Sequence, residues 1–161
     1  MTESNDFVTL VANDGTSYKV ELQVAKESQA ITLLIEDAGI ENPIPLKEVS
    51  GKALCKIIEY CKYHVANPVT EAQKGPNAVI VDWDLSFTKD FDQEMLFELL
   101  CAANWLHVGS LVDLIAKTIA NMIKGKTPEQ IREIFNIEND FTAEEEQKIR
   151  DENKWIEETA Q

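Results

Sequence analysis

The hydrophobic period changes near residue 22, and that change limits the chain to a small sheet covered by helices. Phe7-Val-Thr-Leu-Val11 is a β-rich run, and Ser17-Tyr-Lys-Val-Glu-Leu22 alternates polar and apolar, the period of two that a half-buried strand requires. Asn13-Asp14-Gly15 lies between them. Asx-Gly supplies the positive φ of a tight connection, so residues 7–22 are predicted to form a β-hairpin. Beyond it the spacing is helical. Ile31, Leu34, Ile35 and Ala38 share one helix face between a Ser28 cap and Gly39. Pro43-Ile-Pro-Leu46 is too proline-rich for a central strand and suits a short edge strand. Ser50 caps a second helix carrying Leu54, Ile57, Ile58 and Cys61, a third follows Asp92 with Leu96, Leu99, Leu100 and Ala103, and a fourth starts near Ser110. The fourth presents Leu111, Ile115, Ile119, Met122 and Ile123 and closes at Gly125. Residues 66–91, broken by Pro68, Gly75 and Pro76, are expected to be a long loop containing Trp83, with Ala78–Val81 extended. The fold class is α/β.

The tail follows local capping rules. Thr127-Pro-Glu-Gln130 and Thr142-Ala-Glu-Glu145 are capping boxes, a hydroxyl at N-cap and Gln or Glu at N3, each satisfying a free backbone N–H of the other. Pro128 falls at N1, where its missing N–H costs nothing. Helices are predicted over Pro128–Phe135 and from Ala143 to Trp155 or beyond. They carry few apolar residues, namely Ile131, Ile134, Phe135, Ile137, Phe141, Ile149, Trp155 and Ile156. Short amphipathic helices with so little to bury must pack on something else, which points to a docking element. A final helix held loosely in the free chain, weak self-association through the same patch, or both, are expected.

Catalytic chemistry has little to stand on. No GxSxG elbow, GxxxxGK[ST] loop or GxGxxG turn occurs. His64 and His107 fall at predicted helix ends and are expected to be solvated caps. Cys55, Cys61 and Cys101 lie on apolar helical faces, where core packing is the expectation. Their odd number and lack of CxxC spacing point away from a disulfide framework. Glu144-Glu145-Glu146 belongs to a first helical turn, where carboxylates meet the helix dipole rather than a cation. No cofactor or metal is therefore expected, and an enzyme is disfavoured. Fifteen basic against 29 acidic residues give a net charge of −14. Nucleic acid and anionic membranes, both bound through Lys and Arg, are thus not expected partners. Met1–Leu10 has no basic start or apolar stretch, so an intracellular protein is expected.

An interaction protein remains, and the tail sharpens it. Thr118-Ile-Ala-Asn-Met-Ile-Lys-Gly-Lys-Thr-Pro-Glu-Gln-Ile-Arg132, Phe135-Asn-Ile-Glu-Asn-Asp-Phe-Thr142 with Glu144-Glu-Glu146, and Leu96-Phe-Glu-Leu-Leu-Cys-Ala-Ala-Asn-Trp-Leu106 closely resemble the Skp-type adaptors of SCF ubiquitin ligases. The resemblance implies a BTB/POZ-like, cullin-binding domain over residues 1–126 and a helical, F-box-binding extension over 127–161. It implies a non-enzymatic adaptor between a cullin N-terminal domain and F-box substrate receptors, found in cytoplasm and nucleus; the weak homodimer of the free chain is expected from the apolar patch of the tail. Carried over position by position, it puts the cullin contact at Phe97, Asn104 and Trp105, with Trp105 replacing the usual Tyr. The F-box contact falls at Val112, Ile119, Ile123, Ile134, Phe135, Ile137, Phe141, Ile149 and Trp155.

Overall fold

The computed structural model describes residues 7–68, 70 and 80–154. Its contacts divide the chain into two compact units, Met1–Lys124 and Gly125–Gln161, each described here by itself.

In the first unit, strands β1 (Phe7–Ala12) and β2 (Ser17–Glu21) pair antiparallel with Val8 opposite Val20 and Leu10 opposite Tyr18. The connection needs one left-handed residue. Gly15 has φ 82°, its N–H donates to the Ala12 carbonyl, and the Ala12 N–H donates to that of Thr16. Strand β3 (Ile44–Leu46) runs parallel to β1 on its other side, so the order is β2-β1-β3 and Pro45 sits on an edge as expected. The hairpin ends one residue early, because Leu22 opens a single helical turn, α1 (Leu22–Ala25), that buries Val24 and Ala25.

Helices α2 (Gln29–Ala38), α3 (Gly51–Ala66), α5 (Gln93–Trp105) and α6 (Gly109–Ile123) match the four predicted from periodicity. Leu54, Leu99, Leu106, Leu111 and Ile115 join Leu10 and Leu46 as fully buried side chains of one core. Each such residue contributes roughly 1.5–3 kcal/mol. Ala38, expected on the apolar face of α2, is exposed. The start of α3 is fastened to the hairpin turn: Asp14 accepts the Gly51 N–H at 3.1 Å, and Tyr18 donates to the Gly51 carbonyl at 2.9 Å. A Cβ at Gly51 would lie 2.7 Å from the Asp14 carboxylate, so only glycine fits.

Several expectations are corrected. The stretch expected to be loop contains helix α4 (Asp82–Thr88). Seven residues are too few to display a period, yet Trp83 and Phe87, one turn apart, stack at 5.1 Å, and Trp83 lies flat on Tyr63 of α3 at 3.8 Å. Trp83 is therefore half-buried against the core rather than carried on a loop. Of the expected extended segment Ala78–Val81, Ala78 and Val79 lie outside the described residues, while Val81, the N-cap of α4, is extended at φ −79° and ψ 160° without belonging to a strand. His64 is buried instead of solvated, with Nε2 2.9 Å from Asp84 Oδ1 and Nδ1 3.2 Å from the Asn67 carbonyl. His107 is exposed, but its role is conformational, as described below. Among the cysteines only Cys61 is buried, its thiol pushed up to about 12 by desolvation and so unreactive near neutrality. Cys55 and Cys101 are exposed, because each falls at the solvent edge of its helix rather than on the buried stripe.

The Asp84–His64 bond joins α4 to α3 inside the aromatic group of Tyr60, Tyr63, Trp83 and Phe87. Removing the carboxylate leaves a buried ring nitrogen without its partner. Asp84→Ala should cost about 1–3 kcal/mol in thermal or denaturant unfolding, and an unchanged midpoint would show that aromatic stacking alone holds α4.

Candidate partner-binding surfaces

The first surface is built where two helices of the first unit meet end to end. Ser28, buried, caps α2 by accepting the Ile31 N–H at 3.1 Å and donates its own hydroxyl proton to the Leu106 carbonyl at 2.5 Å. The Ala30 N–H reaches the same carbonyl at 3.3 Å. The positive N-terminus of α2 thus sits on the negative C-terminus of α5. Helix α5 ends there in a Schellman turn: Val108 N–H to Ala103 carbonyl at 2.9 Å and His107 N–H to Asn104 carbonyl at 3.1 Å. His107 occupies the left-handed position with φ 54°, a place usually given to glycine. No glycine marks this stop: the sequence places a helix end at His107 but not the turn that makes it.

The consequence is a cleft lined by Gln29, Ala30, Leu33, Leu34 and Asp37 of α2 and by Asn104, Trp105 and His107. Asn104 and Trp105 are exposed on it. Phe97 does not line the cleft but lies seven residues before Asn104 on α5, hence on the same helix face, and is 41% exposed. Leu33, 59% exposed, was missed as a site residue. Its signal was present: three consecutive apolar residues, Leu33-Leu34-Ile35, cannot all face one core from a single helix.

On α6, Val112, Ile119 and Ile123 fall at i, i+7 and i+11 and are half-buried, Val112 and Ile119 resting on the core. They form a stripe that is only partly covered.

The second unit has a different character. Helices α7 (Pro128–Ile134) and α8 (Ala143–Glu152) contain no buried residue. Both predicted capping boxes form. Asn136, φ 51°, makes a second glycine-free Schellman turn, with Ile137 N–H to Arg132 carbonyl at 2.8 Å and Asn136 N–H to Glu133 carbonyl at 3.3 Å. Between the helices Arg132 pairs with Glu146 at 3.1 Å. Ile137, Phe141 and Ile149 are exposed, whereas Ile134 and Phe135 are half-buried. Helix α8, expected to reach Trp155, ends at Glu152 with Asn153 as its C-cap, while Trp155 and Ile156 lie outside the described residues. Among the described residues no three His, Cys, Asp or Glu side chains gather as for a metal, and none of their helices is long and apolar enough to cross a membrane.

Comparison with known proteins gives this arrangement a context. Residues 6–66 match the family model described as Skp1 family, tetramerisation domain, and residues 109–156 match Skp1 family, dimerisation domain. The chain is 48% identical over 153 residues to SKP1-like protein 1A of Arabidopsis thaliana, covering 92% of this chain and 95% of that one. It is 49% identical over 155 residues to SKP1-like protein 12 of the same plant, covering 94% and 97%. A fungal relative from Talaromyces stipitatus, named E3 ubiquitin ligase complex SCF subunit sconC, is 47% identical over 155 residues, covering 93% and 96%.

The chain belongs to the Skp1 family.

The three-stranded sheet with its helices is accordingly the BTB/POZ-like fold expected for a Skp1 domain, and the residues inferred by resemblance map onto two separate units of a Skp1-family chain. Asn104 and Trp105 share one cleft, with Phe97 along the same helix. The remaining described positions divide between α6 and the tail.

The junction can be tested through Ser28. Ser28→Ala removes the cap of α2 and the donor to Leu106 together, and should cost about 1–3 kcal/mol of stability. An unchanged melting curve would mean the helix ends are held by packing alone.

The tail has its own pH dependence. The Thr142 backbone N–H and then its hydroxyl hold the Glu145 carboxyl below its usual value, and the N–H of Glu129 itself with the Thr127 hydroxyl does the same for Glu129. Because these folded values are lowered, the stabilisation is present above the ordinary carboxylate range and is lost as pH falls through the folded values. Tail helicity, followed by hydrogen exchange or circular dichroism, should stay flat from pH 7 to about 5 and fall below that. Glu145→Gln should flatten the acid limb, and an identical limb would remove the capping box from the explanation.

Proposed function

We propose that this chain is a non-enzymatic adaptor that joins a cullin to F-box substrate receptors in an SCF-type ubiquitin ligase. The fungal relative named as an SCF subunit, matched at 47% identity over nearly its whole length, carries this reading. The structure is compatible with it in a specific way: exposed apolar groups occur in both compact units, as two partners held at once would need. Asn104, Trp105 and Phe97 are assigned to the cullin; Val112, Ile119, Ile123, Ile134, Phe135, Ile137, Phe141, Ile149 and Trp155 are assigned to the F-box. Ubiquitin transfer asks nothing catalytic of this chain, whose work is placement. Cytoplasm and nucleus are the compartments this role requires. A weak homodimer of the free chain belongs to the same proposal, supported by the family models' own descriptions as dimerisation and tetramerisation domains.

Separability is the test. Asn104→Lys with Trp105→Ala puts an unpaired charge in the cullin interface, an effect of several kcal/mol. It should abolish binding of a purified cullin N-terminal domain while F-box binding persists. Phe141→Asp with Ile149→Asp should do the reverse. Loss of both partners from either folded double variant would refute the two-surface adaptor.

A further inference from the structure

We propose that Arg132 is a positioning residue that presets the F-box-facing segment of the tail, an inference that rests on the adaptor reading above. Four side chains form a closed circuit across the connection between α7 and α8. The Arg132 guanidinium donates from Nη1 to Glu146 Oε1 at 3.1 Å. The same carboxylate oxygen accepts from Asn139 Nδ2 at 3.0 Å. Asn139 Oδ1 in turn accepts the Phe141 N–H at 3.2 Å. The Phe141 ring then returns to Arg132, whose Cζ lies 5.9 Å from the ring centroid, within reach of a cation–π contact.

This circuit sits where the described residues form no core. Neither tail helix has a buried residue, and the segment between them displays Ile137 and Phe141, 54% and 48% exposed. Exposed side chains on an unsupported loop must be immobilised on binding, which lowers affinity. Here the Schellman turn at Asn136 fixes the backbone leading into Ile137, and the circuit fixes Phe141 from both its backbone and its ring. Arg132 is the member that touches both the carboxylate of α8 and the aromatic face. Its partial burial matters as well. The Arg132 and Glu146 side chains are 21% and 33% exposed, whereas the other pair between the helices, Arg150 and Glu129, is 57% exposed on both sides and 3.5 Å apart. Solvent screens the second pair and spares much of the first. The two arginines, both reaching across from one tail helix to the other, therefore have different jobs.

The full-length chain and its variants Arg132→Gln, Arg132→Lys and Arg150→Gln would be titrated with one recombinant F-box domain, chosen because a SKP1-like protein of Arabidopsis thaliana binds it. Arg132→Gln should weaken binding about tenfold. Arg132→Lys, keeping the charge but losing the planar guanidinium, should recover part of that loss. Arg150→Gln should change affinity less than about twofold. A partner-free readout separates positioning from folding. In the wild type the Arg132 side-chain protons should be shifted upfield by the Phe141 ring, and the Phe141 amide should be protected from exchange. In Arg132→Gln the Phe141 amide should lose that protection while the amides of α7 and α8 keep theirs. Equal F-box affinity of Arg132→Gln and wild type would overturn the proposal, and so would collapse of α8 protection, which would make Arg132 merely structural. Absence of the ring shift and amide protection in the wild type would overturn it too. A wild type that shows both signatures yet binds no F-box domain would instead refute the adaptor reading on which the proposal rests.

Discussion

The Leu106 carbonyl is the point on which the first unit turns. It is the acceptor for the Ser28 hydroxyl and the Ala30 N–H, and it belongs to the residue that caps α5 and is itself fully buried. One backbone oxygen thus satisfies the start of one helix at the end of another, 78 positions apart in sequence for Ser28. Helix ends inside a protein otherwise leave costly unpaired groups. Here the Leu106 carbonyl meets the Ala30 N–H and the Ser28 hydroxyl, and among the described residues no buried side-chain nitrogen or oxygen lacks a partner. Because the junction fixes both helices, it also fixes Leu33 and Leu34 beside Asn104 and Trp105. The surface assigned to the cullin is a by-product of closing the fold.

The tail solves the same problem without a core. Its helix starts are satisfied by capping boxes, the end of α7 by a Schellman turn at Asn136, and the link between the helices by charge and amide groups. Among the described residues every apolar side chain of this unit is left half-buried or exposed. Such a unit is stabilised by interactions that are individually worth about 0.5–2 kcal/mol and sensitive to pH and salt. That is poor economy for a free-standing domain and suits a segment whose apolar surface is completed by another protein.

Which parts of this were legible depended on range. The hairpin, the edge strand and the four periodic helices follow from spacing within a dozen residues, and both capping boxes follow from four. Helix α4 was not readable, since its residues Trp83, Asp84 and Phe87 gain their reason only from Tyr60, Tyr63 and His64 across the intervening segment. His64 was misread for the same cause: its burial is made by a partner twenty positions away. The helix ends before His107 and Asn136 follow from the sequence, but the turns that make them use non-glycine residues in left-handed conformation, which composition does not announce. The residues assigned to the cullin and the F-box came from family likeness rather than from any chemical pattern, because a docking surface has no fixed residue types as a metal centre or a catalytic triad has. What physics added was Leu33, which a count of consecutive apolar residues on α2 already exposes.

The contrast between the units bears on how an adaptor divides its labour. The cleft of the first unit is locked into the core by Ser28 and the Schellman turn, so it presents one shape to whatever docks there. A shared scaffold such as a cullin is met once by each adaptor and rewards a rigid surface, since a fixed shape loses little entropy on binding. F-box receptors are many, and a surface meeting many partners gains from side chains that can adjust over a backbone that does not. The tail combines the two: backbone turns set by local hydrogen bonds and a Phe141 ring held by Arg132, together with exposed Ile137 and Ile149. Trp105 fits the first logic. An indole brings large contact area with only two side-chain torsions to freeze, so Trp105 adds rigid apolar surface to the unit already built to be stiff.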